Sequence, residues 1–195
     1  MASEKEERYA RVARAVAHQL VHGRPEGVRV SSVARRARVS RPWVYKYFGA
    51  DPAALLQFAV REFGAAFAEL ERVAPEAGTW RSSVLEGMRR GLRDAQAAPW
   101  CVALYFRYRY DPGVMGEGVR AIEESHRAKF LAELPADLRT DPAGAARFCE
   151  FVHAARWGVF HRWIDPSFRA AYTEDDAVAE FARAVDHYLA EVRGR

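Results

Sequence analysis

The sequence predicts an all-α protein, with an N-terminal three-helix helix-turn-helix domain joined to a larger α-helical domain. Three observations carry this. Apolar residues recur at three- and four-residue spacing along almost the whole chain. Helix-start signals, in which Ser, Asp or Thr precedes Pro or acidic residues, recur at Ser40-Arg41-Pro42, Asp51-Pro52, Asp141-Pro142 and Thr173-Glu174-Asp175-Asp176. Two short helical patterns meet at Arg38-Val39, the first laid out as a bracing helix and the second as an exposed one.

Taken in order, Tyr9, Val12, Ala13, Val16, Ala17 and Leu20 form the inner stripe of a first helix ending near Gly23. Gly23, Pro25 and Gly27 make a loop, and Val30, Val33, Ala34 and Ala37 mark the bracing helix. Ser40 caps the next helix, Pro42 sits in its first turn, and Phe48-Gly49 closes it. Asp51-Pro52 then opens a helix through Leu55, Phe58, Phe63, Phe67 and Leu70 that stops before Pro75 and Gly78. The predicted division is residues 1–50 for the helix-turn-helix, 51–73 for a linker helix and 74–195 for the second domain.

Thr79 begins a helix with Trp80, Val84, Leu85, Met88 and Leu92, broken at Pro99. Trp100 to Phe106 is apolar all round and reads as a buried helix, stopped by Asp111-Pro112-Gly113. Further helices are expected from Val114 to Leu134 and from Ala145 to Ile164, the latter ended by Asp165-Pro166. A last helix opens at Thr173, with Val178, Phe181, Ala182, Val185, Tyr188, Leu189 and Val192 as a stripe that needs a partner surface.

The short exposed helix carries Arg41, Trp43, Tyr45, Lys46 and Tyr47, and keeps only Val44 and Phe48 for its own core. Cations and flat rings on one short element suit a polyanion with readable base edges. Charge agrees: residues 1–50 hold 11 Lys and Arg against 4 Glu, while the remainder holds 19 against 22 acids. Arg8, Arg11 and Arg14 lie near the polar face of the first helix and could reach phosphate.

These residues carry a family resemblance. Val33-Ala34 through Val39-Ser40, then Val44-Tyr45, Tyr47-Phe48 and Leu55-Leu56, resemble the DNA-binding domain of TetR-type repressors. The resemblance covers the first third of the chain, and the rest by helical layout alone. It implies a homodimer that reads a palindromic double-stranded DNA operator and is released by a small-molecule effector. It assigns Arg41, Trp43, Lys46 and Tyr47 to DNA contact and Tyr45 to a phosphate, with Ser40 at the helix start and Arg29 a substitute phosphate ligand. Arg38 stands where the family usually has Gly, Asp51 where it has a phosphate-contacting Lys, and Trp43 where it has a small residue. Val28-Arg29 stands where Thr or Ser usually caps the bracing helix. The last two helices resemble the pair that forms the four-helix dimer interface of such proteins, with Gly158 allowing close approach.

Trp80, Trp100, Tyr105, Phe106, Tyr108, Phe130, Phe151, His153 and Trp157 are candidates for lining an apolar effector pocket, with Arg107, His126 and Arg156 as further polar contacts. Other classes are disfavoured. No GxSxG, P-loop, GxGxxG or HExxH appears, and the histidines lack metal-ligand spacing, so neither an enzyme nor a cofactor or metal site is expected. Cys101 and Cys149 read as buried reduced thiols. No apolar run approaches the roughly 20 residues a membrane span needs, and a cytoplasmic location is expected. An architectural DNA binder without effector would need a long basic surface, which the acidic remainder of the chain does not offer.

Overall fold

The computed structural model describes residues 3–72 and 79–193. The expected helix stop at Pro75 and Gly78 lies outside the described residues, as does the side chain of Val192. Among the described residues there are ten α-helices, two 3₁₀ turns and no strand. The chain divides into two compact units, Met1–Ala66 with Ala103–Arg120, and Phe67–Val102 with Ala121–Arg195.

In the first unit, α1 (Glu4–His22) starts on a reciprocal cap. The Ser3 backbone N–H donates to Glu6 Oε2 at 2.6 Å, and the Glu6 N–H donates to Ser3 Oγ at 3.2 Å. Its stripe of Val12, Ala13, Val16, Ala17 and Leu20 is buried and packs on α2 (Val30–Ala37), whose Val30, Val33, Ala34 and Ala37 are also buried. Between them lies a 3₁₀ turn, Pro25–Gly27.

The turn to α3 (Arg41–Phe48) keeps its left-handed shape although no glycine is present. Arg38 adopts φ 53° and ψ 45°, and the N–H groups of Arg38 and Val39 donate to Arg35 O and Ala34 O. Those bonds satisfy carbonyls at the end of α2, which offsets the roughly 1 kcal/mol that left-handed backbone costs an L-residue. Gly49, at φ 76°, closes α3, and Asp51 Oδ1 accepts from the Ala53 N–H at 2.9 Å to start α4 (Pro52–Glu71).

The second unit is built on α5 (Trp80–Ala97), α8 (Pro142–Trp163) and α10 (Glu174–Arg193), which pack on one another. Thr79, Asp141 and Thr173 cap them by accepting from the backbone N–H groups of Ser82, Ala143 and Asp176. Gly91 lets α5 approach closely: a Cβ there would lie 2.4 Å from Phe160 Cζ and 3.1 Å from the Leu70 carbonyl. The unit boundary falls within α4, α6 (Pro99–Tyr108) and α7 (Val114–Glu133).

Three expectations need correction. First, α6 is not buried all round, because Phe106 is 40% exposed while Cys101, Val102, Leu104 and Tyr105 are fully enclosed. Second, Asp165-Pro166 begins an element as well as ending one: Asp165 Oδ1 accepts from the Ser167 N–H and starts α9 (Pro166–Ala171). Third, Val178, Phe181, Val185 and Leu189 of α10 are already buried within the chain, where α10 packs on α8 and α5. That stripe needs no second copy.

Replacing Arg38 by Gly relieves the left-handed strain, so R38G raises the unfolding free energy by about 1 kcal/mol. Urea unfolding with an unchanged denaturant slope checks this, and an unchanged or lower midpoint contradicts it.

Candidate nucleic-acid interface

The presentation of α3 begins with local chemistry. Ser40 Oγ accepts from the Trp43 N–H at 3.2 Å, so this exposed hydroxyl is committed to the helix start. Val44 and Phe48 are the two α3 residues that are buried. Arg41 and Lys46 are exposed, and Tyr45 is 47% exposed. Trp43 and Tyr47 are half-buried against Tyr9 of α1, with ring centroids 5.5 and 5.7 Å away. The same Tyr9 ring lies 5.4 Å from Phe48 and 5.8 Å from Phe58. Trp43 and Tyr47 are therefore positioned rings, not freely projecting ones.

Cations rim this aromatic group. Lys5 Nζ lies 5.1 Å and Lys46 Nζ 5.5 Å from the Tyr47 ring, and the Arg8 guanidinium is 6.0 Å from Trp43. The other arginines named from sequence are occupied differently. Arg8 also pairs with Glu4. Arg11 Nε donates to Ala37 O at 3.0 Å, fastening α1 to the end of α2, and Arg14 Nε donates to Ala10 O at 3.3 Å. Arg29 is exposed, yet its Nη1 donates to Glu26 O at 2.6 Å and its side chain makes no cap on α2.

A cleft of ≈ 350 Å³ opens beside α2 and α3, lined by Ser31, Ser32, Arg35, Val39 and Arg41. Sequence reasoning missed Ser31, Ser32 and Arg35. The available signal was the pair of hydroxyls in the first turn of α2, although the Ser32 and Val33 N–H groups beside them already donate to Arg29 O.

The candidate effector residues are distributed over both units. Tyr105, Phe106 and Tyr108 belong to the first, where the Tyr108 hydroxyl donates to Leu20 O at 2.8 Å. Arg107 also belongs to the first, where its Nη2 donates to Gly23 O at 2.6 Å, and the remaining candidates belong to the second. There Trp80 contacts Phe130 and Phe148, with centroids 5.9 and 5.6 Å away, and Phe151 stacks on Tyr188 at 4.6 Å. Trp100 is half-buried. A cleft of ≈ 360 Å³ is bordered by Trp80, Pro135, Leu138 and Leu189 beside the Arg81–Asp186 ion pair.

His153 and Trp157 join a buried polar network instead. His153 Nδ1 lies 3.1 Å from Glu71 Oε1, and its Nε2 lies 3.2 Å from Glu123 Oε1. Arg156, 1% exposed, places Nη1 3.3 Å from both Glu71 O and Glu71 Oε2, and Trp157 Nε1 donates to Glu71 Oε1. Burial alone would raise the Glu71 carboxyl. The His153 hydrogen bond, the Arg156 and His153 charges and the Trp157 N–H outweigh it and hold Glu71 at about 2. Burial raises both thiols, Cys149 to about 11, so neither is a poised nucleophile. No group of three or more metal-ligating side chains occurs among the described residues, and no described helix is long and apolar enough to cross a membrane.

No family model matches the sequence, and no curated protein matches it. Solved structures do match. A tetR-family transcriptional regulator from Streptomyces coelicolor superposes with a TM-score of 0.69 at 18% identity, covering 100% of this chain and 84% of that one. A TetR-like transcriptional regulator from Rhodococcus sp. RHA1 gives 0.66 at 17% identity, covering 95% of each chain. A putative TetR-family regulator from Rhodococcus sp. gives 0.65 at 17%, covering 93% of this chain and 98% of the other.

The chain has the TetR-regulator fold.

Within this TetR-type fold, the departures noted in the sequence have structural outcomes. Arg38 preserves the turn without glycine, and Asp51 has become a helix cap. Trp43 fills, against Tyr9, the place expected of a small residue.

Because Glu71 is held below its ordinary 4.5, it contributes stability above that value, and the contribution is lost as pH falls toward about 2. Acid unfolding followed by circular dichroism therefore shows a loss of stability across that window. Glu71→Gln lowers stability at neutral pH and flattens this acid limb; an unaltered limb contradicts the assignment.

Proposed function

We propose that the chain is a DNA-binding transcriptional regulator. It acts as a homodimeric repressor on a palindromic operator and is released by a small, largely apolar effector. The observation that carries this reading is the capped, eight-residue α3 on its Tyr9 platform, which turns Arg41, Tyr45 and Lys46 outward. Arg and Lys at such an element pair with phosphate or guanine, and exposed aromatic edges meet thymine methyls and sugars. The TetR-type fold supports it, since the matched structures are described as transcriptional regulators.

Residues 1–50 do the reading, with Ser31, Ser32 and Arg35 offering a phosphate seat beside Arg41. Within residues 51–73, α4 is the linker helix, and 74–195 take the effector and the second copy. Since the α10 stripe is enclosed, dimerisation uses outward faces. On α8 these are Ala154, Gly158 and His161, all exposed, with nothing within 4 Å of a Cβ built at Gly158. Two-fold pairing matches a palindromic site.

Fluorescence anisotropy of the full chain on a random-sequence duplex tests the interface. The log of the binding constant falls linearly with the log of salt concentration, and Lys46→Ala reduces the slope by about 0.9. The W43A/K46A double variant keeps its circular dichroism and loses at least about tenfold in affinity. Salt-independent binding, or undiminished binding by the double variant, overturns the reading.

A further inference from the structure

The buried network around His153 holds a feature that neither DNA recognition nor effector binding requires. His153 is 7% exposed, and each ring nitrogen lies within hydrogen-bond distance of a different carboxylate, Glu71 at 3.1 Å and Glu123 at 3.2 Å. Neutral imidazole has a single N–H, and an ionised carboxylate only accepts. Between two ionised carboxylates both bonds therefore exist together only in the imidazolium form. The two carboxylates sit on different helices, α4 and α7, while His153 sits on α8.

We propose that His153 is a proton-operated clamp, which as imidazolium fastens the last turn of α4 to α7 and on losing its proton releases one of the two arms. The surrounding charges fit the closed state. Glu71 on α4 and Glu123 on α7 face two cations on α8, His153 and Arg156, so the closed network is internally neutral. From α7, His126 also faces His153; burial holds His126 below its ordinary value, opposed by Glu71 and aided by Lys129. From α5, Arg90 acts on Arg156. The rings beside His153 are Phe67 of α4 and Trp157 of α8, with centroids 6.1 and 6.0 Å away.

Deprotonation removes one positive charge from this buried group and one of its two imidazole–carboxylate bonds, a change that burial makes costly. Burial by itself would depress the His153 proton affinity, and the bonds to Glu123 and Glu71 outweigh it, so its titration lies above the ordinary 6.5. A group raised in this way contributes its stability below 6.5 and loses it as pH rises through the folded value. The clamp therefore closes toward acid and opens toward alkali. It acts on α4, the helix that begins at Pro52, just after α3. The inference stands whether or not the chain binds DNA.

The test uses the full chain. Histidine ring signals are followed by NMR through pH 5 to about 9, a range chosen to bracket histidine titration, with His153→Gln assigning the His153 signal. Hydrogen exchange, corrected for its intrinsic pH dependence, is read for peptides covering residues 67–71 and 121–126. His153 titrates above 6.5, at least one of the two segments loses about tenfold or more of its protection through that midpoint, and Glu123→Gln lowers the proton affinity of His153 by about tenfold or more. If H153Q does not fold, the signal displaced by E123Q identifies His153. A midpoint at or below 6.5, protection indifferent to the midpoint in both segments, or an unmoved midpoint in E123Q overturns the clamp.

Discussion

The seating of α3 on Tyr9 governs which side chains of this helix face outward. A helix of eight residues is not stable alone, since helix nucleation is unfavourable and isolated helices below roughly 12 residues are marginal. Val44 and Phe48 anchor α3 from below, and the ring of Tyr9, in edge contact with Trp43, Tyr47, Phe48 and Phe58, fixes its rotation. With that rotation set, Arg41, Tyr45 and Lys46 can face only outward. For the rings of Trp43 and Tyr47, held against Tyr9, the cost of ordering is met before any ligand arrives, which is the general advantage of a preorganised site.

The two units use charge in opposite ways. In the first, cations stand on the surface around half-buried rings, where a polyanion gains from them and salt screens them. In the second, Glu71, Glu123, His153 and Arg156 are drawn inside, where the Glu71 carboxyl is held low by His153 and Arg156, and the His153 proton is held by Glu123 and Glu71. Removing one partner of such a set costs far more than removing a surface pair, because an unmatched charge is left buried. The first arrangement suits recognition, and the second suits holding helices in one register.

Helix ends were legible because caps are local. Ser40, Asp51, Thr79 and Asp141 each accept from a backbone N–H two or three residues on, and the sequence shows both partners at once. Asp165-Pro166 is the instructive exception, since the same dipeptide reads as a stop and as a start, and here it is both. The stripe on α10 showed that one face is buried but not against what; periodicity is blind to the identity of the partner. The buried network was illegible for another reason. Glu71 and His153 are 82 positions apart, and amphipathic patterning assigns charges to the outside. Arg156 did leave a trace, lying four residues from both Val152 and Phe160 on the inner face of α8. Tyr9 was visible as an inner-stripe residue, whereas its role as the ring beneath Trp43 required the fold.

In the proposed function two copies of α3, each held by its aromatic seat, read a duplex together. Selection of bound fragments from a pool of random duplexes by the full chain tests it most directly. The expected result is enrichment of an inverted repeat whose half-sites are centred about one helical turn, or a multiple of it, apart. Recovery of fragments with no shared sequence, or of a single unrepeated half-site, would contradict it.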